Sequence, residues 1–340
     1  MIGLIYWYDF ICFSIVVGAY IGSLWVLWRK ELVTECDDST FYDSLLAARP
    51  DNGCFVETFP SNHVSSSQLW TTCWKGVSPI WLLLTRFMSF LIMAALLTWD
   101  IVDSGPTFYV DDTGWTFTLV TYLMIYFGLA AVISTYGCFL SASQPSFGNG
   151  VTKTDVEEVG ILSSITYREK EARATIKLQS RSADEVARQR AGFWGYLMQI
   201  LYQTSAGAVV LTEVGFWCII VPFGSNAHLQ LDLLMGCMHI LSAVFLLIDT
   251  ALNNLAFPWF RMAYLVQWSC FYVVFQWVIH ACAFTWLPEP FLALDLPWAP
   301  LWYFVLAIVH IPCYGLCVMI VNAKNSIFPR LFPLAYVRSY

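Results

Sequence analysis

A chain of 340 residues that is 58% hydrophobic and only 12% charged, with a formal net charge of −7, departs far from the soluble average of about 45–50% apolar and about 25% charged residues. With a mean hydropathy of +0.62, this composition excludes an ordinary water-soluble domain and predicts an integral membrane protein. The basic residues form no patch suited to nucleic acid, so the bilayer is the first partner expected.

In chain order, seven apolar stretches are long enough to cross a hydrocarbon core about 30 Å thick, which takes roughly 20 helical residues. They run over about 10–28, 77–99, 115–140, 196–222, 232–252, 262–286 and 299–322. The N-terminus and the connections 100–114, 223–231 and 287–298 carry no lysine or arginine. By contrast, 29–76 carries Arg29, Lys30, Arg49 and Lys75, and 141–195 carries eight such residues. Arg261, Lys324, Arg330 and Arg338 fall on that same face, which is cytoplasmic by the positive-inside rule.

The expected fold is therefore all-α, a polytopic membrane helix bundle of about seven transmembrane helices over residues 1–340, with its N-terminus out and its C-terminus in. Residues 29–76 and 141–195 are expected as cytosolic loops and 323–340 as a cytosolic tail, in the plasma membrane or an endomembrane. No basic n-region precedes the first span, so no secretory signal peptide is expected. Aromatic belts fit this frame, with Tyr6, Trp7, Trp99, Trp115, Trp286, Trp298 and Trp302 near outer ends and Trp25, Trp28 and Trp194 near inner ones. Arg86, about two turns above the inner end of the second span, is expected to snorkel to the interface; the alternative is a pair with a carboxylate such as Asp249.

Cys36, Cys54 and Cys73 lie in the first cytosolic loop and the other cysteines within spans, so no outer-loop disulfide is expected. Their spacing fits no zinc pattern, and ordinary free thiols are expected, with Cys73 beside Trp74 and Lys75 as a weak palmitoylation candidate. In the 141–195 loop, Glu169 with Arg173 and Asp184 with Arg188 are helical ion pairs, and Ser182 with Glu185 fits a capping box. A short cytosolic helix leading into the fourth span is the expected result.

Chemistry has to be sought inside the spans, where ionisable groups cost free energy and mark functional sites. Glu213, His239, His280 and His310 lie at depths of roughly 9–15 Å below the outer surface by the helical rise. This slab admits zinc binding, a proton relay, or separate helix-packing hydrogen bonds, the last being the plain structural reading. Zinc is the least favoured because no His-x-x-x-His or Glu-x-x-His occurs, and no cofactor is expected. Asp249 with Asn253, Gln276 with His280, and His239 with Ser242 share single helix faces. Pro312 frees a carbonyl one turn before it and is a candidate kink in the seventh span.

The strings FPWFRMAYLVQW, YVVFQWVIHACAFTW, WAPLWYFVLAIVHIPCYG and NAKNSIFPRLFP, with DTGWTFTLV, resemble the plant branch of the rolling stone-like membrane proteins. The resemblance covers most of the chain from about Trp70 and is densest after Leu231; it implies a multi-pass membrane protein of unassigned biochemical role. A more distant similarity is to the androgen-induced gene family of membrane threonine hydrolases, which cleave fatty acid esters of hydroxy fatty acids with a Thr and a His. That similarity implies Thr113 as nucleophile and His239 as general base, acting on a lipid or fatty-acyl ligand. The chain departs from this pattern at Asp111, Asp112, Gly114 and Trp115, and Thr113 also suits the N-cap of the third span. Beside these readings stands a third, a seven-helix receptor or proton-coupled transporter.

Overall fold

The computed structural model describes residues 6–32, 66–104, 114–143, 192–220, 233–282, 294 and 297–336. Unpaired backbone groups are intolerable in hydrocarbon, so spans this apolar fold as helices. Among the described residues there are seven long ones: α1 (Trp7–Leu27), α2 (Pro79–Ser104), α3 (Trp115–Ser143), α4 (Phe193–Gly215), α5 (Leu233–Leu252), α6 (Met262–Cys282) and α7 (Ala299–Leu331). A π-helical turn extends α1 over Trp28–Leu32 and α4 over Phe216–Ile220. No strand occurs among the described residues, and α7 runs without interruption through Pro312 and Pro329.

Six of the seven are long and apolar enough to cross a membrane; α4 is the exception. Its polarity reflects its surroundings. Gln199, Gln203, Thr204, Ser205 and Thr212 are all buried, and α4 packs on α3, α5, α6 and α7. The central helix thus meets protein on most sides and has less need of lipid-facing side chains. Its run Ser205-Ala206-Gly207-Ala208 lets neighbours approach closely, as small residues do between membrane helices. A Cβ on Gly207 would lie 2.7 Å from a Leu265 methyl and 3.2 Å from the Tyr314 ring. Around this axis, α2 packs against α3 and α5, while α1 lies on α6 and α7.

The helix ends that border basic segments meet at one end of the bundle. Arg261 at the start of α6 lies 3.3 Å from Glu31 at the end of α1, and Tyr264 donates to the same carboxylate at 2.6 Å. Cys73 N–H donates to Leu252 O at the end of α5, and Lys75 N–H to Ala335 O beyond α7. The stretch after Ser66, expected as part of a cytosolic loop, is docked on the bundle: Trp70 lies against Gly137, where the indole leaves no room for a Cβ. Trp74 stacks among Phe328, Phe332 and Tyr336. Cys73 is fully buried with its Sγ 3.2 Å from Ala251 O, and burial pushes its thiol pKa up, so this site does not present a reactive thiolate for acylation.

Because the described helix ends that border the basic segments lie here, this end is expected to face the cytosol. In a variant whose only reactive thiol is introduced by Gly105→Cys, a membrane-impermeant maleimide should label from the non-cytosolic side alone. Labelling from the cytosol would reverse the topology.

Candidate functional site

Two polar centres are built into the bundle, one near each end. In the inner centre Arg86, on α2, is completely buried, so it does not snorkel; Asp249 on α5 holds it from the interior. Its Nε donates to Asp249 Oδ1 at 2.8 Å, and Nη1 donates to Leu69 O at 2.8 Å and to Ser134 Oγ at 2.7 Å. The other Asp249 oxygen accepts from Tyr126 Oη at 2.5 Å and from Asn253 Nδ2, one helical turn on, at 3.0 Å. Lys324 of α7 reaches the end of α5 and donates to Thr250 O at 2.9 Å and Asn253 O at 2.7 Å. A cation there satisfies carbonyls that the helix end leaves without partners. Tyr202 and Thr250 share a hydrogen bond of 2.9 Å beside it. Five helices are tied together by these groups, and both oxygens of Asp249 accept from the protein, three donors in all.

The outer centre joins the ends of α4 and α5. Glu213 Oε1 lies 3.3 Å from His239 Nδ1, and Glu213 Oε2 accepts from Trp217 Nε1, four residues on, at 2.9 Å. The imidazole stacks on Phe216 with ring centroids 4.0 Å apart, and its Nε2 is buried with no partner among the described residues. Nearby, Trp115 Nε1 donates to Thr212 Oγ1 at 2.6 Å, fixing the start of α3 to the residue before Glu213. Trp115, the half-buried first residue of α3, packs on Trp268 and Tyr272.

The four residues expected in one slab are not all together. Glu213 and His239 meet, but His310 is bound elsewhere: Nδ1 donates to Leu306 O at 2.6 Å and Nε2 lies 2.7 Å from Ser269 Oγ, a tie between α7 and α6. Ser242 turns to Met238 O and not to His239. The side chain of His280 and the whole of Thr113 lie outside the described residues. Among the described residues no group of three His, Cys, Asp or Glu is placed to hold a metal ion, and the described cysteines are free thiols.

From Glu213 a cleft of about 240 Å³ runs along α4 between α5 and α7. Its floor is Tyr202, Ala206, Val209 and Val210, with Leu246 and Thr250 on one wall and Cys317 and Val321 on the other. Val214, Leu247 and Leu316 form an exposed apolar rim, so in a membrane the cleft opens to lipid. Sequence reading had no access to this cleft, nor to Tyr126, Ser134 and Lys324 in the inner centre. The signal the sequence carried was Arg86 about two turns above the inner end of the second span, with Asp249 as a candidate partner, and the pairing of Asp249 with Asn253. Comparison of the chain with protein-family models, with curated proteins and with solved structures gives no match.

Proposed function

We propose that this multi-pass membrane protein holds the aliphatic chain of a bilayer lipid in the cleft between α4, α5 and α7. The observation that carries the reading is the cleft itself: apolar along its length, bordered by lipid-facing side chains, and ending at one carboxylate. Ligand sites are typically concave and apolar with a few polar groups that fix orientation. The family we propose is the plant branch of the rolling stone-like proteins, on the sequence strings given above.

A bilayer lipid carrying a diazirine on its acyl chain should label the protein in peptides that contain residues 202–214, 243–250 or 316–321. Filling the floor with Ala206→Trp or Val209→Trp should cut labelling about tenfold, equivalent to roughly 1.4 kcal/mol of affinity. Equal labelling of the filled and unfilled proteins would remove the proposal.

One observation favours a second reading, a lipid ester hydrolase using Thr113 and His239. A carboxylate on Nδ1 with Nε2 left over is the arrangement that orients a histidine as general base, and Glu213 supplies that carboxylate. Trp115, two residues after Thr113, is bonded to the residue before Glu213. The reading requires ester hydrolysis to vanish in both Thr113→Ala and His239→Ala while the protein still folds and inserts.

A further inference from the structure

We infer that the occupant of the cleft is a lipid whose polar end is a hydrogen-bond donor, a hydroxyl or an ammonium group, and not a free fatty acid. This rests on the cleft reading above and adds the chemistry of the head group. The inner end of the cleft offers nothing to a polar head. Tyr202 Oη and Thr250 Oγ1 bond each other at 2.9 Å, and Thr250 Oγ1 donates to Leu246 O at 2.7 Å, so these hydroxyls are already engaged. Tyr202 and Glu213 are eleven positions apart on α4, about 16 Å at the helical rise, and the α4 residues that line the cleft between them, Ala206, Val209 and Val210, are apolar. An aliphatic chain therefore lies along the floor with its polar end at Glu213.

Glu213 then decides which head is accepted. Its side chain is 22% exposed, and among the described residues the cleft lining contains no lysine or arginine. Each oxygen receives one donor from the protein, Trp217 Nε1 or His239 Nδ1. A carboxylate accepts at about four lone-pair sites, so roughly two are left for a ligand's donor. A hydroxyl or ammonium fills those sites with charge-assisted hydrogen bonds. A fatty acid carboxylate would set acceptor against acceptor and charge against like charge in a medium of low dielectric constant, with no cation in the lining to offset it. Left bare, a carboxylate at a lipid-facing rim is costly, which is a further reason for a donor to occupy the site.

The test is competition against the diazirine lipid in phosphatidylcholine nanodiscs, with dodecylammonium, dodecanol and dodecanoate compared at equal mole fraction in the bilayer. The ammonium and alcohol should displace the label at concentrations at least about tenfold below dodecanoate, a gap worth roughly one charge-assisted hydrogen bond. In Glu213→Gln, whose amide both donates and accepts, the gap between dodecylammonium and dodecanoate should shrink to within about threefold. Should that variant fail to fold, Val214→Lys on the exposed rim sets a cation beside the carboxylate and should strengthen dodecanoate alone. Dodecanoate competing as well as the ammonium in the unaltered protein, or the gap persisting in Glu213→Gln, would overturn the head-group assignment while leaving the cleft a lipid site. If no aliphatic competitor displaces the label from folded protein, the cleft reading itself fails and this inference with it.

Discussion

Arg86→Met is expected to destabilise the protein by about 3–5 kcal/mol, the cost of leaving a buried charge without its partner. Arg86 is fully buried and Asp249 is 2% exposed, so water cannot screen or replace the lost guanidinium. The change also strips the donors from Leu69 O and Ser134 Oγ, which loosens the docked segment before α2. Thermal unfolding of the purified protein, followed by tryptophan fluorescence, should fall by many degrees. A second substitution separates charge from packing. Arg86→Met with Asp249→Asn removes the orphaned carboxylate but keeps a carbonyl oxygen for Tyr126, and it should recover more than half of the loss. If the double variant is no more stable than Arg86→Met, uncompensated charge is not the main cost.

Lys324→Met is the next largest expected effect, about 1.5–3 kcal/mol, typical of hydrogen bonds to a charged group whose partners stay buried. Methionine keeps the aliphatic length but offers no donor to Thr250 O or Asn253 O. The end of α5 should fray, and faster hydrogen exchange of amides in 249–254 would report it directly, since local opening exposes them to solvent. Unchanged exchange would mean that these carbonyls find water at no cost. Because Asn253 also donates to Asp249, this change and Arg86→Met should be non-additive, as expected for residues of one network.

The helices were legible because their signal is strong and local. The third span begins at Trp115 in both sequence and structure, and the fifth, expected over about 232–252, is observed over Leu233–Leu252. An apolar run of membrane length has few alternatives to a helix. The fourth span was placed at about 196–222, yet its α-helix ends at Gly215, because hydropathy does not register a change of hydrogen-bond pattern to a π-turn. The sites were less legible. Depth along a span is one coordinate of three, so Glu213, His239 and His310 could be assigned similar depths while rotation and neighbour order decide who meets. Glu213 finds His239 because α4 and α5 are adjacent, whereas His310 is on α7, turned toward α6. For Arg86, sequence offered lipid interface or carboxylate as alternatives, and only the packing of α2 against α5 selects the second.

The same ion pair constrains how the chain is made. Arg86 and Asp249 are separated by 163 positions, so the guanidinium leaves the ribosome long before its counterion does. At about 5–20 residues per second, that interval is roughly 8–33 seconds. Through it the Arg86 partners already made, Ser134 Oγ and Leu69 O, are neutral acceptors that leave the guanidinium charge without its counterion. Early hairpins of this bundle are thus committed to a waiting state until the fifth helix emerges.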